Sequence, residues 1–277
     1  MTSALPGRDA LLRTAKASPE VAGQHDKEGW LALYSDDAVV EDPVGTPASH
    51  AGRRRGRLGD ELGRFYEAFI ASSGIDMVTR QDIVSDVHVF RAVDIHTTNL
   101  KTGLKMKVPA NLLYEVVPRD GGLAIRRMQA HWELNRMSRM LMSEGALGMR
   151  TIAVMNWRML LAFGPKWLMA YFKTSQQGVG RPGKELVERL ADLESGGGGD
   201  VFGPEATVEL PGGATAAPNE FLEGCTSLEF RDLLASGRTV SGLASIEWGA
   251  RTRDAAFVAE LDASALRVQR LRWFWEG

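Results

Sequence analysis

A carboxylate at the end of a short apolar strand is the side chain in this sequence best suited to chemistry. In the stretch YSDDAVVEDPVG, the alternation of a β-strand places Asp42 on the same face as Ala38 and Val40, and Glu41 on the other face. A carboxylate among apolar neighbours loses solvation, which raises its pKa towards neutrality and suits a general base. The alternative is that Asp42 only caps the turn at Pro43, and the pattern alone favours this commoner use.

The elements that position Asp42 follow from the spacing of apolar residues. Helical patterns precede and follow the strand, and four further strand patterns come next, separated by short polar or glycine-bearing turns. The predicted helices are 7–16, which Pro19 ends, 27–34 and 58–71; the first strand is 37–42, and the later strands lie within 77–134. Helices followed by a meander predict an α+β domain with helices packed on one face of a curved sheet.

The second half of the chain repeats this pattern. Residues 201–213 (VFGPEATVELPGG) align with residues 33–45 (LYSDDAVVEDPVG) without a gap, and the later VQRLRWFWEG resembles the earlier AIRRMQAHWELN. The alignment places Leu210 where the first copy has Asp42, and a leucine cannot transfer protons. We therefore expect a degenerate second domain that takes the place of the second subunit in a dimer of such domains.

Three segments are expected: a catalytic domain over 1–135, a connector rich in methionine and tryptophan over 136–180, and a second domain over 181–277. Within the second half, helices are predicted at 183–194 and about 219–230, with a flexible hinge or a tight connection at 195–199. The helical spacing of apolar residues in the connector favours a core between the domains. The alternative is a peripheral membrane contact in which Arg150, Arg158 and Lys166 reach lipid headgroups. Because charges interrupt 149–172, no membrane-spanning helix is predicted.

Composition excludes several classes of protein. The 277 residues exceed one ordinary domain, and 44% hydrophobic with 25% charged residues is typical of a globular chain in water. A net charge of −2 gives no general attraction to nucleic acid. Cys225 is the single cysteine, which excludes an internal disulfide and makes a structural zinc site unexpected. With no signal-peptide pattern in the first twenty residues, we expect a cytoplasmic protein.

Four motifs of the first half together resemble the bacterial ketosteroid isomerases, members of the nuclear-transport-factor-2-like and SnoaL-like superfamily. The motifs are LYSDDAVVEDPVGTP, GRFY, VPAN and MQAHWELN, and the resemblance covers about residues 19–135. It implies a cone-shaped domain with a curved, mostly antiparallel sheet and helices on the concave face, here as two cones joined by a helical linker. It also implies that Asp42 is the catalytic base. By the same resemblance, Tyr34 and Tyr66 belong to a tyrosine network and Trp132 lines the pocket.

Two departures from the family pattern concern the groups that would stabilise an enolate oxygen. The family's oxyanion-binding tyrosine aligns with Ser18, and its protonated aspartate aligns with Asn111, whose amide can still donate a hydrogen bond. Strand alternation places Asn111 on the wet face beside two lysines, unless a bulge near Pro109 turns it inward. We therefore expect Tyr66 to act as the replacement donor, with Trp132 as the next candidate.

Three more polar residues lie on strands that are expected to border the cavity. Asp94, His96 and His131 could each supply a second acid or base, and Asp94 and His96 could contact the ligand. Each also fits a solvated sheet edge or a structural role, which is the commoner fate of a lone strand histidine.

A basic loop follows the predicted base. Its arginines are Arg53, Arg54, Arg55 and Arg57. The common interpretation is a solvated loop. The alternative is a clamp for a phosphate or carboxylate at the mouth of the pocket, as a coenzyme A conjugate would require.

The leading functional interpretation is an isomerase of the ketosteroid type. Asp42 would remove a proton beside the ketone of a steroid or other small hydrophobic ligand and return it further along the conjugated system. One alternative is a binding protein that keeps the pocket without the chemistry, which Ser18 supports. Another is a polyketide cyclase or epoxide hydrolase, which needs a second acid such as Asp94 or His96 facing the cavity. No cofactor, metal or nucleic acid is expected, and the chain is expected to be a pseudo-dimeric monomer or a homodimer.

Overall fold

The structure is a computed structural model that describes residues 6–53, 60–192, 200–249, 251–262, 264 and 266–276. It contains two six-stranded sheets of the same strand order, and four α-helices lie between them in the described part of the chain. These features confirm the predicted α+β class and the predicted pair of domains with one topology.

The first domain begins with two helices and continues with strands that a third helix interrupts. Its elements are α1 (Arg8–Gly23), α2 (Lys27–Ala32), β1 (Tyr34–Glu41), β2 (Ser49–His50), α3 (Glu61–Phe65), β3 (Ser73–Ser85), β4 (His88–Asn99), β5 (Lys105–Arg119) and β6 (Gly122–His131). A π-helical turn, Tyr66–Ile70, continues α3. The strand order is β2-β1-β6-β5-β4-β3, with β1 parallel to β6 and the other neighbouring pairs antiparallel.

Helix α1 packs across the first sheet with one small-residue face. Leu11, Ala15, Ser18 and Ala22 recur at helical spacing on that face and are buried. The helix passes through Pro19, so the prediction that Pro19 ends it is wrong. A proline removes one backbone hydrogen bond from a helix interior, but the buried face continues beyond it to Ala22, and tertiary packing outweighs the local preference.

Three connector helices follow the last strand of the first domain. They are α4 (Leu134–Ser143), α5 (Gly145–Phe163) and α6 (Pro165–Gln176). Stacked rings hold α5 and α6 against the first domain: the ring centroids of Phe163 and Trp167 lie 4.2 Å apart, and Trp167 lies 6.3 Å from Phe69 of the π-helical turn. In the part of the chain that the structure describes, no helix is long and apolar enough to cross a membrane.

The second domain repeats the first. Its elements are α7 (Gly180–Glu188), β7 (Phe202–Glu209), β8 (Thr215–Ala216), α8 (Pro218–Gly224), β9 (Cys225–Ser236), β10 (Thr239–Trp248), β11 (Arg251–Asp262) and β12 (Arg267–Trp275), with strand order β8-β7-β12-β11-β10-β9. The helix predicted at 219–230 ends at Gly224, because Leu228 and Phe230 belong to the two-residue period of β9. The hinge predicted at 195–199 lies outside the described residues.

The registers of the two domains support an internal duplication. The parallel pairs β1/β6 and β7/β12 shift register at corresponding places. An ion pair then bridges each pair of strands, from Arg127 to Glu41 in the first domain and from Arg270 to Glu209 in the second. Glu209 is the residue that the gapless alignment matches to Glu41, so sequence and structure give the same correspondence.

The two sheets pack against each other through the faces that point away from their helices. The apolar side chains at this contact are Ile83, Phe90, Ala92, Leu113, Leu243, Ala256, Val258 and Phe274. On the other face of the second sheet, the ring of Phe221 stacks on Trp248 and Trp273 at centroid distances of 5.3 and 5.7 Å. The two domains thus pack against each other within one chain, and aromatic rings occupy the other face of the second sheet.

Candidate functional site

An apolar cavity of about 170 Å³ lies among the first sheet, α1, the π-helical turn and the connector. One buried water needs roughly 10–15 Å³ by the same kind of measure, so the cavity has room for an organic ligand. Its polar lining groups are Ser18, Asp42, Ser73, Thr97, Asn99, Tyr114, Trp132 and Tyr171. A mostly apolar wall with a few convergent polar groups is typical of a small-molecule site.

Asp42 follows β1 directly and lines this cavity. Its Oδ1 accepts a hydrogen bond of 2.6 Å from the indole Nε1 of Trp132, and among the described residues no Lys or Arg forms an ion pair with it. Burial raises the pKa of Asp42 to about 6, and the Trp132 hydrogen bond opposes that rise. The neighbours Ala38 and Val40 are buried on the same face of β1. Asp42 is therefore a weakly solvated carboxylate that can accept a proton near neutral pH.

Ser18 is the centre of a buried hydrogen-bond network on the α1 side of the cavity. Its Oγ lies 3.2 Å from Nε1 of Trp30, which donates, and 3.1 Å from the hydroxyl of Tyr34. The Ser18 side chain also lowers the pKa of Tyr114, against the larger effect of burial. Tyr34 is buried beside this network and is not among the residues that line the cavity.

Tyr114 is a cavity residue that the sequence analysis missed. It lies on β5 and is buried, which raises the pKa of its hydroxyl to about 12 against smaller opposing effects of Arg91 and Ser18. The charge of Asp42 contributes to the same rise. Strand alternation could have found this residue, because Val108 and Leu112 share its face and also line the cavity.

Tyr171 is the second cavity tyrosine that the sequence analysis missed. It lies on α6, is buried, and stacks on Trp167 with ring centroids 5.4 Å apart. Burial and the charge of Asp42 both raise the pKa of Tyr171. The connector thus contributes a hydroxyl to the electrostatic surroundings of the carboxylate, although it lies far from Asp42 in sequence.

A protein-family model matches part of the first domain. Residues 15–127 match the family model of the SnoaL-like domain. We call the first domain the SnoaL-like domain after this match. The match contains Asp42, Ser18 and Tyr114, whereas the connector helices lie beyond it. No match was found among curated proteins.

Several solved structures are similar to about half of this chain. The Mycobacterium tuberculosis protein RV0760c in complex with estradiol-17β-hemisuccinate is 25% identical, covers 46% of this chain and 95% of its own, and has a TM-score of 0.36. The Δ5-3-ketosteroid isomerase of Mycobacterium sp. is 23% identical with coverages of 46% and 95% and a TM-score of 0.37. An epoxide hydrolase of M. tuberculosis is 17% identical with coverages of 54% and 98% and a TM-score of 0.41.

The second domain braces the loop that follows Asp42 in the SnoaL-like domain. Ser236 donates its hydroxyl to the backbone oxygen of Val44 at 2.9 Å. Gly45 has a φ of 94°, and a Cβ at this position would lie 2.6 Å from Cα of Gly237. Only glycine permits both the backbone conformation and this close approach, so the second domain packs directly on the loop that holds the carboxylate.

Tyr66 does not reach the cavity of the SnoaL-like domain. Its ring packs 5.7 Å from Trp30, its hydroxyl has no hydrogen-bond partner among the described residues, and burial with the charges of Asp26 and Glu67 raises its pKa. We therefore correct the expectation that Tyr66 is the replacement donor. The reason is that α3 and the π-helical turn direct Phe65, Phe69 and Ile70 to the cavity instead.

Asn111 faces the second domain, away from Asp42. The pairing of β4 with β5 runs through Pro109 without a bulge, so alternation is kept and Asn111 stays on the outer face. Its Nδ2 donates to the backbone oxygen of Asp232 at 3.3 Å and to Oγ of Ser241 at 3.2 Å. We correct both earlier alternatives, since this amide is neither an oxyanion donor nor a solvated residue.

The other strand candidates also lie outside the cavity. Asp94 pairs with Lys107 at 2.9 Å, and His96 is exposed on the same outer face of β4. His131 is buried between the domains, 3.1 Å from the hydroxyl of Thr239, and burial with neighbouring arginines lowers its pKa to about 3. None of the three faces Asp42, which corrects the expectation of a second acid or ligand contact here.

Most of the basic loop lies outside the described residues. Arg53 is exposed, whereas Arg54, Arg55 and Arg57 lie outside the described residues. Within the described residues, no cluster of three or more His, Cys, Asp or Glu side chains could hold a metal ion.

Proposed function

We propose that the SnoaL-like domain is a proton-transfer enzyme that acts on a hydrophobic ketone, with Asp42 as the base and a steroid as the ligand class. The observation that carries this proposal is the environment of Asp42: a carboxylate on an apolar cavity, with one indole N–H as its partner and a pKa of about 6. The apolar walls support a ligand with little charge. Asp42 is the one carboxylate among the described residues that line the cavity, and this supports a reaction that needs a single base.

The proposed reaction moves one proton within the ligand. The ionised carboxylate of Asp42 accepts a proton from the carbon beside the carbonyl, and the electron pair of that C–H bond moves onto the carbonyl oxygen as a dienolate forms. Protonated Asp42 then returns the proton to the far end of the conjugated system, and the carbonyl reforms. Atoms and charges balance without any other reactant, so the product is an isomer of the substrate. A dry cavity favours this step if a donor stabilises the enolate oxygen.

The hydrogen-bond capacity of Ser18 supports Tyr114 as that donor. An indole N–H can only donate, so Trp30 uses one lone pair of the Ser18 oxygen. Tyr34 lies 3.1 Å from the same oxygen, and we assign the donation in this pair to the Tyr34 hydroxyl, which uses the second lone pair. The single proton of Ser18 is then free to act on the hydroxyl of Tyr114, whose pKa Ser18 lowers.

This arrangement leaves the proton of Tyr114 free for the ligand. A hydroxyl that accepts one hydrogen bond becomes a better donor, because successive hydrogen bonds polarise one another. Ser18 would therefore act as a positioning residue that orients Tyr114. The serine at the position of the family's tyrosine would then not leave the site without a donor. Tyr171 offers a second hydroxyl on the connector side of the cavity.

A binding protein without catalysis is the second candidate function. The observation that favours it is the serine at the position where the resembling family has its oxyanion-binding tyrosine. A cyclase or epoxide hydrolase has less support, because Asp42 is the only carboxylate among the cavity-lining residues that the structure describes. Asp94 and His96, the second acids considered for those reactions, are on the outer face of β4.

The experiment that separates these functions measures turnover and binding in the same preparation. A β,γ-unsaturated 3-ketosteroid serves as substrate, and the absorbance of the conjugated product reports isomerisation. Equilibrium dialysis with the conjugated steroid reports binding. The enzyme proposal predicts both signals from the wild-type chain. Binding without turnover would support the binding protein, and the absence of both would exclude ketosteroids as the ligand class.

The pH dependence of kcat/KM gives a prediction with a defined sign. Only the ionised form of Asp42 can accept a proton, and its pKa of about 6 means that this form is lost as the pH falls through 6. We expect kcat/KM to fall about tenfold per pH unit below 6 and to be level above it, since Tyr114, with a pKa of about 12, keeps its proton. A profile that stays level down to pH 4 would contradict the proposed base.

A further inference from the structure

The connector helices carry most of the large apolar side chains that the protein exposes. Of nine such residues among the described part of the chain, seven lie on α4, α5 and α6: Met142, Leu147, Met149, Trp157, Leu161, Met169 and Phe172. The sequence pattern favoured a core for this segment, and that interpretation is wrong for Met149, Trp157 and Met169, which are exposed. We call the surface that the seven side chains form the connector face.

Helix α5 shows how this face arises. Its inner side buries Thr151, Met159 and Phe163. Its outer side exposes Met149, Trp157 and Leu161, which follow one another at multiples of four residues and lie on one stripe. A helix that packs on a domain in water normally presents polar residues to the solvent. The outer stripe of α5 is apolar instead, and contiguous exposed apolar surface of this kind marks an interaction site.

The charge of the connector differs from that of the whole chain. Residues 134–177 contain six basic residues and one acidic residue, Glu144, whereas the whole chain has a net charge of −2. Arg139, Arg150, Lys166 and Lys173 are exposed and form no ion pair with a carboxylate among the described residues. Two such faces would repel each other, so a second copy of this chain is a poor partner. An anionic lipid surface complements both the basic and the apolar residues.

We propose that the connector face docks on an anionic membrane surface, with Trp157 and its apolar neighbours in the interface and the basic side chains at the headgroups. The same helices wall the cavity, because Met137, Met155 and Tyr171 line it from inside. Docking would thus bring the cavity to the surface of a bilayer, where a hydrophobic ligand is dissolved. The docking itself does not depend on the proton-transfer proposal.

Vesicle flotation tests this proposal without any ligand. We expect the wild-type chain to float with vesicles of phosphatidylcholine and phosphatidylglycerol. It should not float with vesicles of phosphatidylcholine alone, or with the mixed vesicles at high salt. Each basic residue near an anionic surface contributes about a fivefold factor in affinity. The variant R150E/K166E should therefore bind at least about 25-fold more weakly, and W157E/M169E should lose binding as well.

Matched controls use the same substitutions elsewhere on the protein. Val78 on β3 is exposed, and Arg251 and Arg267 are exposed on the second domain, so V78E and R251E/R267E should float like the wild type. Circular dichroism checks that each variant folds. The proposal would be overturned if the wild-type protein did not bind anionic vesicles, or if the connector variants bound them as strongly as the wild type does. Light scattering that shows a dimer abolished by W157E/M169E, with no vesicle binding, would instead assign the face to a second copy.

Discussion

Replacement of Asp42 by asparagine is expected to lower kcat for the isomerisation of a β,γ-unsaturated ketosteroid by about 10²–10⁴-fold, the usual contribution of a positioned general base. An amide oxygen can still accept the hydrogen bond from Trp132, so the geometry of the site is kept while its basicity is removed. Steady-state kinetics of wild type and D42N provide the measurement. Affinity for the conjugated product should change little, because the cavity walls are the same.

A matched control for this result is Asp94→Asn. Asp94 is also a strand carboxylate, but it pairs with Lys107 on the outer face of β4. We expect D94N to turn over the steroid at the wild-type rate. If D42N retained full activity, or if D94N lost as much as D42N, Asp42 would not be the base.

Replacement of Tyr114 by phenylalanine is expected to lower kcat by about 10²–10³-fold, the usual effect of deleting one oxyanion donor. The ring stays in the cavity wall, and only the hydroxyl is lost. Because the enolate oxygen is charged only in the course of the reaction, the loss should appear in kcat more than in KM. Stopped assays at saturating steroid separate the two parameters.

Tyr66→Phe is the matched control for the tyrosine prediction. It removes an equally buried hydroxyl that has no hydrogen-bond partner among the described residues and does not line the cavity. We expect Y66F to behave as wild type. If Y114F is fully active while Tyr171→Phe is slow, the connector hydroxyl is the donor and the role assigned to Ser18 is wrong.

Strand alternation was the most reliable signal in the sequence. It predicted that Asp42 shares a face with Ala38 and Val40, and the structure buries both neighbours and opens Asp42 to the cavity. Alternation also predicted that Asn111 lies on the outer face of β5, whereas the resemblance implied that it faces the pocket. In the structure Asn111 lies on the outer face, where it donates to Ser241. The reason is physical: a strand without a bulge cannot change the face of a side chain.

Long-range packing set the features that the sequence could not predict. Tyr171 reaches the surroundings of Asp42 only because aromatic stacking fixes α6 on the first domain. The apolar spacing of the connector predicted helices but could not tell which stripe faces the protein, because both sides of α5 are apolar. Pro19 likewise predicted the end of α1 from its local preference, and the packing of α1 overrides that preference.

The pKa of Asp42 is the quantity that tests the central claim most directly, and it needs no ligand. NMR of the carboxyl carbons in ¹³C-labelled aspartate, recorded across pH for wild type and D42N, identifies the resonance of Asp42 as the one missing in the variant. A carboxylate held in an apolar cavity should titrate with a midpoint of about 6, and added steroid should shift its resonance. A midpoint near 4, the ordinary value for a solvated aspartate, would contradict the account.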